Sequence, residues 1–157
     1  MTHAADILHR AAAQGIMIAT VESCTGGMVA AALTDIPGSS AVVERGFVTY
    51  SNQAKVDLVG VSPATLDAYG AVSEAVAAEM ASGALAHAPV QLAVSITGIA
   101  GPGGSEHKPE GRVCFGIATP DGTQTETVEF GALGRDAVRQ AACNHALSLL
   151  SAALRRD

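Results

Sequence analysis

Ser23, Tyr50 and Lys55 are the residues whose types and spacing point to chemistry. Ser23 stands in Glu22-Ser23-Cys24-Thr25-Gly26-Gly27, after the apolar run Ile16-Met17-Ile18-Ala19-Thr20-Val21 and before a small-residue helical stretch. That order predicts a strand ending in a sharp turn onto a helix N-terminus, where unpartnered N–H groups can bind an anion or a developing oxyanion. A serine hydroxyl is a weak nucleophile at its own pKa and needs a base within reach. Tyr50-Ser51-Asn52-Gln53-Ala54-Lys55 supplies one if its strand neighbours the first. A lysine made neutral by partial burial, its pKa brought from ~10.4 toward ~7–8, can accept the serine proton, directly or through Tyr50. Cys24 competes with Ser23, because a thiolate at a helix N-terminus can be activated; neighbours in register point apart, so only one of the two is expected to face a pocket. Taken singly, each group also has an ordinary structural role: the serine as a cap, the tyrosine as packing, the lysine as a solvated side chain.

These residues need elements to position them. Apolar spacing predicts a helix over 4–14 stopped by Gly15, a first strand, and a helix over about 26–34. A strand over about 42–51 and a short helix near 52–59 follow. Ser62-Pro63 reads as an N-cap with proline at the first helical position and Gly70 as the stop. A helix over about 73–87 leads to the strand 90–96, strands at about 112–119 and 124–130 flank the turn Pro120-Asp121-Gly122, and an amphipathic helix runs over about 134–154. Near-continuous apolar strands between helices imply a sheet covered on both faces, and the hairpin makes at least one pair antiparallel. The expected fold is a three-layer α/β/α sandwich on a mixed, mostly parallel sheet, one domain over 1–157. A second glycine-rich loop, from Gly98 to Gly104 and on to Gly111, follows a predicted strand, where backbone amides can approach a ligand. Neither loop carries a P-loop or a well-placed dinucleotide fingerprint.

Composition narrows the function classes. With nine Lys plus Arg and a formal charge of −6 in 157 residues, the chain lacks the clustered cations of a general nucleic-acid binder. No apolar run approaches the ~18 residues of a membrane span and no basic leader precedes an apolar core, so a cytoplasmic protein is expected. Cys24, Cys114 and Cys143 are odd in number and far apart, which favours reduced thiols, and the five histidines form no ligand motif. No metal and no organic cofactor are expected. An alanine-rich chain with few charges is expected to self-associate.

Four ungapped segments carry a resemblance: Glu22–Gly27, Arg45–Lys55, Gly70–Ser73 and Ser95–Pro102. In this order and spacing they resemble the CinA C-terminal domain family, over nearly the whole chain and in its stand-alone form. The resemblance implies an α/β/α sandwich and hydrolysis of nicotinamide mononucleotide to nicotinate mononucleotide and ammonia, a step of pyridine nucleotide salvage. It implies catalytic roles for Ser23, Tyr50 and Lys55. For such a substrate, Thr97, Gly98, Ala100 and Gly101 are the expected phosphate and ribose loop. Thr25 and Gly26 are expected at the oxyanion, with Arg45, Arg135 and Arg139 as candidate charge partners. Glu22 would orient a hydroxyl or cap a neighbour. Two other readings stay open: a Ser/Lys amidase or esterase acting on another small substrate, and a catalytically silent nucleotide-binding module.

Overall fold

The computed structural model describes residues 3–155; Met1, Thr2, Arg156 and Asp157, the ends of the expected 1–157 span, lie outside the described residues. In chain order the elements are α1 (His3–Gln14), β1 (Ile18–Glu22), α2 (Met28–Thr34), β2 (Val43–Val48), α3 (Asn52–Val59), α4 (Pro63–Tyr69), α5 (Glu74–His87), β3 (Leu92–Gly98), β4 (Arg112–Thr119), β5 (Gly122–Glu129) and α6 (Arg135–Leu154).

The strands form one sheet in the order β2-β1-β3-β4-β5. β1 pairs in parallel with both β2 and β3, while β3–β4 and β4–β5 are antiparallel, so four strands share one direction and β4 opposes them. Every residue of β1 is buried, with Ile18 packed in one core and Ala19 and Val21 in another. This two-faced burial is what a strand covered by helices on both sides requires. The first core joins β1 and β3 to α1, α2 and α6. The second lies under α5, whose buried Val76, Met80 and Ala84 recur at helical spacing. α6 buries Val138, Ala142, Ala146, Leu150 and Leu154, a stripe at every fourth residue. Three layers result, α/β/α. No helix among the described residues is long and apolar enough to cross a membrane.

Because β2 and β3 flank β1, the chain leaves β1 in one direction and returns on its other side. The strand order therefore reverses at β1, and a crevice opens at the carboxyl ends of β1 and β3, where ligands bind in open α/β sheets.

Some boundaries differ from the sequence expectation for local reasons. α2 starts at Met28 because Gly26 and Gly27 take φ of +58° and +109°, outside helical space. β2 ends at Val48, so Thr49 and Tyr50 leave the strand, which matters below. β3 begins at Leu92 because its register is set by pairing Ile18 with Leu92; Val90 is buried but lies in a turn. The hairpin turn is two residues, Pro120-Asp121, so Gly122 already pairs with Thr119.

Candidate active site

The crevice holds a cavity of about 400 Å³, within the usual range for small-molecule sites. Ser23, Cys24, Tyr50, Lys55 and Arg135 line it, together with the segment Thr97 to Ser105.

Ser23 is the first residue after β1. Its N–H donates to Ile96 O at 2.9 Å, and Thr49 N–H donates to Glu22 O at 2.8 Å, so the end of β1 is gripped from both neighbouring strands. Lys55 arrives from the other side. Ser51 caps α3, its hydroxyl accepting from Ala54 N–H at 3.0 Å, and Lys55 lies one residue further on, only 1% exposed. Its Nζ lies 3.2 Å from Ser23 Oγ, 2.9 Å from Thr49 O and 3.3 Å from Tyr50 O. The early exit from β2 turns both carbonyls toward the amine.

This environment holds no carboxylate partner for Lys55 among the described ion pairs. Burial pushes the amine down from its ordinary 10.5 to about 8, with Cys24 acting in the opposite direction. A neutral amine has two N–H donors and one lone pair. Thr49 O and Tyr50 O accept two N–H bonds and Ser23 Oγ accepts the third from the ammonium; on deprotonation the lone pair that replaces that third N–H faces the Ser23 hydroxyl.

Both Ser23 and Cys24 border the cavity, but Cys24 belongs to the hydrophobic core with Val29 and Val138, while the Ser23 hydroxyl meets Lys55, in line with the expectation that only one of the two side chains serves the pocket. Burial pushes the Cys24 thiol up to about 11, so it is a protonated, inert group at neutral pH.

Tyr50 contributes differently from the sequence reading. Its main-chain carbonyl contacts Lys55 and also lies 3.4 Å from Ser23 Oγ. Its side chain is 61% exposed, and its hydroxyl accepts from Arg135 at 3.0 Å. The short contact between Lys55 and Ser23 makes the direct proton route available. Arg135 also donates to Gly101 O at 2.5 Å, which places a guanidinium at the cavity wall.

The structure brings Thr97, Gly98, Ala100 and Gly101 to the cavity as well. Thr97 Oγ1 donates to Ala71 O at 2.8 Å and so ties β3 to the Gly70–Ser73 segment. Gly98 has to lack a side chain, because a Cβ there would lie 2.7 Å from Val113 Cγ2 and 3.0 Å from Arg112 O.

Glu22, Thr25, Gly26, Arg45 and Arg139 are not among the lining residues. The Glu22 carboxylate accepts from Thr25 Oγ1 at 2.6 Å, Val29 N–H at 2.9 Å and Ala30 N–H at 3.0 Å. It caps α2 from within the core. The first amides of α2 are therefore spent on Glu22, so the expected oxyanion site at that helix N-terminus is corrected. Arg139 donates to Cys24 O at 2.9 Å and packs on Gly26, bracing the turn from α6. Arg45 pairs in register with Ala19, near the opposite end of the sheet, and contacts Glu44 and His87 O.

Asn52, Ala71, Val72, Ile99 and Pro102 to Ser105 line the cavity without having been named as site residues. The glycine-rich run from Gly98 to Gly104 was the signal for the loop residues, and Asn52, Ala71 and Val72 lie inside the Arg45–Lys55 and Gly70–Ser73 segments that carry the resemblance.

Comparison with known proteins now decides the family: the CinA C-terminal domain matches residues 1–154. The chain belongs to the CinA C-terminal domain family. It is 55% identical over 139 residues to the nicotinamide-nucleotide amidohydrolase PncC of Escherichia coli K12, covering 88% of this chain and 84% of that protein. It is also 55% identical over 121 residues to a CinA-like protein of Chlorobium phaeobacteroides, of which it covers 29%. The competence/damage inducible protein CihA of Agrobacterium tumefaciens superposes with a TM-score of 0.89 at 44% identity, over 99% of this chain and 98% of that one. ComA from Klebsiella pneumoniae gives 0.93 at 38% identity, over 97% and 94%.

Proposed function

We propose that this chain is a nicotinamide-nucleotide amidohydrolase that converts nicotinamide mononucleotide and water to nicotinate mononucleotide and ammonia by acyl transfer through Ser23. The observation that carries the mechanism is the placement of Lys55 Nζ, buried and without a carboxylate partner among the described ion pairs, 3.2 Å from Ser23 Oγ.

As Ser23 Oγ bonds to the amide carbon, its proton passes to Lys55 Nζ. The oxyanion falls to the main-chain amide at the Ser23–Cys24 step of the turn, the part of that segment that borders the cavity. The carbon–nitrogen bond then breaks, the leaving nitrogen takes the proton from Lys55, and ammonia departs. Water gives a proton back to Nζ as it attacks the ester, and release of the carboxylate restores the Ser23 hydroxyl. Tyr50 holds Lys55 and Ser23 with its carbonyl and Arg135 with its hydroxyl. The Thr97–Gly101 loop and Arg135 hold the ribose and phosphate, with the planar guanidinium suited to a phosphate.

No step draws on a metal or organic cofactor. The same proposal places the enzyme in the cytoplasm, where its three free, buried cysteines suit a reducing compartment. It also has the enzyme acting as a homo-oligomer without nucleic-acid or membrane partners, which a mass measurement in solution checks.

Ammonia release from nicotinamide, its riboside and its mononucleotide tests the substrate. Turnover that needs the mononucleotide supports the reading, and equal turnover of all three contradicts it.

A further inference from the structure

Glu110 takes no part in the chemistry above, yet its carboxylate joins two separate parts of the cavity wall. Oε1 accepts from Gly103 N–H at 2.7 Å, inside the glycine-rich loop. Oε2 accepts from Gly134 N–H at 3.1 Å, the residue immediately before Arg135. The carboxyl group also lies flat against Gly101. A Cβ at that position would approach Glu110 Cδ to 2.5 Å and Oε1 to 2.7 Å, and Gly101 has a φ of +92°. Gly101 O in turn accepts from the Arg135 guanidinium. The circuit closes: Glu110 fixes the main chain on either side of the contact that Arg135 makes with Gly101.

The stem of this loop is held independently. Ile99 N–H donates to Arg112 O at 2.9 Å and Gly111 N–H to Ile99 O at 2.8 Å. Lys108 Nζ donates to Tyr69 O at 2.7 Å and Val72 O at 2.6 Å, pinning the loop's far side to the segment before α5. Between these anchors, Gly101 to Gly104 includes three glycines, whose backbone loses the most freedom on being ordered. Charge-assisted bonds to main-chain N–H groups are the stronger kind of contact for such a task.

We infer that Glu110 is a positioning residue for the substrate site: it sets the separation between the Gly101–Ser105 loop and Arg135, and so governs how well the phosphate-bearing part of the substrate is held. Glu110 reaches neither Ser23 nor Lys55 by any hydrogen bond, so the bond-making steps do not depend on it. This inference rests on the proposed function only for the identity of the substrate; the clamp itself is a statement about main-chain order.

The test compares wild type with Glu110→Gln, Glu110→Asp and Glu110→Ala in two measurements. In steady-state ammonia release from nicotinamide mononucleotide, Glu110→Ala should raise KM about tenfold, as expected for losing bonds to a charged acceptor, with kcat and its pH dependence kept. Glu110→Gln retains one carbonyl acceptor and should fall between. Glu110→Asp, one methylene short, should resemble Glu110→Ala. In hydrogen–deuterium exchange without substrate, peptides carrying Gly103 and Gly134 should both exchange faster in the variants, while those of β1 and α3 stay unchanged. Unchanged exchange at Gly103 and Gly134 overturns the clamp. A kcat loss at constant KM overturns the positioning role. Absence of ammonia release by wild type would instead refute the proposed function, and exchange would still decide on the clamp.

Discussion

In the proposed reaction Lys55 is the base, and its protonation then sets a measurable pH dependence. With the amine at about 8, roughly one-tenth of the enzyme is neutral at pH 7, half at pH 8 and nine-tenths at pH 9. The value of kcat/KM for ammonia release should therefore rise about tenfold from pH 7 to pH 9 and then level off. Lys55→Ala removes the base and should lower kcat by about 10²- to 10⁴-fold. Lys55→Arg keeps a cation that does not deprotonate in this range and should be equally inactive. The same burial bears on folding. The unfolded lysine titrates at its ordinary 10.5 and the folded one at about 8, so between these values the unfolded chain binds more protons. Stability should rise with pH across that window, while below it the cost of the buried charge is present in full, roughly 3 kcal/mol. A coupled enzymatic assay for ammonia, run in overlapping buffers, reads the rate profile. A flat profile from pH 7 to pH 9, or substantial turnover by Lys55→Arg, would refute lysine as the base.

Tyr50→Phe keeps the main-chain carbonyl and loses only the hydroxyl that accepts from Arg135, so KM should rise several-fold while kcat changes little; a kcat loss equal to that of Lys55→Ala would return the hydroxyl to the proton route. Glu22→Ala strips the cap from α2 and leaves its buried donors unsatisfied, which should cost about 3 kcal/mol and lower Tm by about 10 °C in a calorimetric scan. An unchanged Tm would contradict the capping role. Among the described residues no group of three His, Cys, Asp or Glu side chains is placed to hold a metal ion, so EDTA should leave turnover unchanged. Loss with EDTA that added metal restores would contradict the Ser/Lys mechanism.

The layered fold was legible because its signals are local. Ser51 and Ser73 cap α3 and α5 by hydrogen bonds to main-chain N–H, and Pro63 opens α4 at its first turn. Lys55 could be placed because strand end, cap and helix follow within a few residues. What escaped depends on packing. Glu22 and Ser23 are neighbours, yet one points into the core beneath α2 and the other into the crevice, and only the tertiary turn separates them. Arg45 belongs to a motif shared with Lys55, but the register of β2 against β1 sends it toward the far end of the sheet. The use of the Tyr50 carbonyl beside Ser23 is a main-chain property that no side-chain pattern reveals. Ala71 and Val72 are held at the cavity by long-range bonds, from Thr97 to Ala71 O and from Lys108 to Val72 O.

The central claim is that Ser23 is the nucleophile in hydrolysis of nicotinamide mononucleotide. It is tested most directly by measuring ammonia release from that substrate with the wild-type protein, Ser23→Ala and Cys24→Ala side by side, each checked for an intact fold by circular dichroism. The account predicts turnover by wild type, turnover largely retained by Cys24→Ala, and none above background by a folded Ser23→Ala. Turnover by Ser23→Ala, or loss confined to Cys24→Ala, would contradict it.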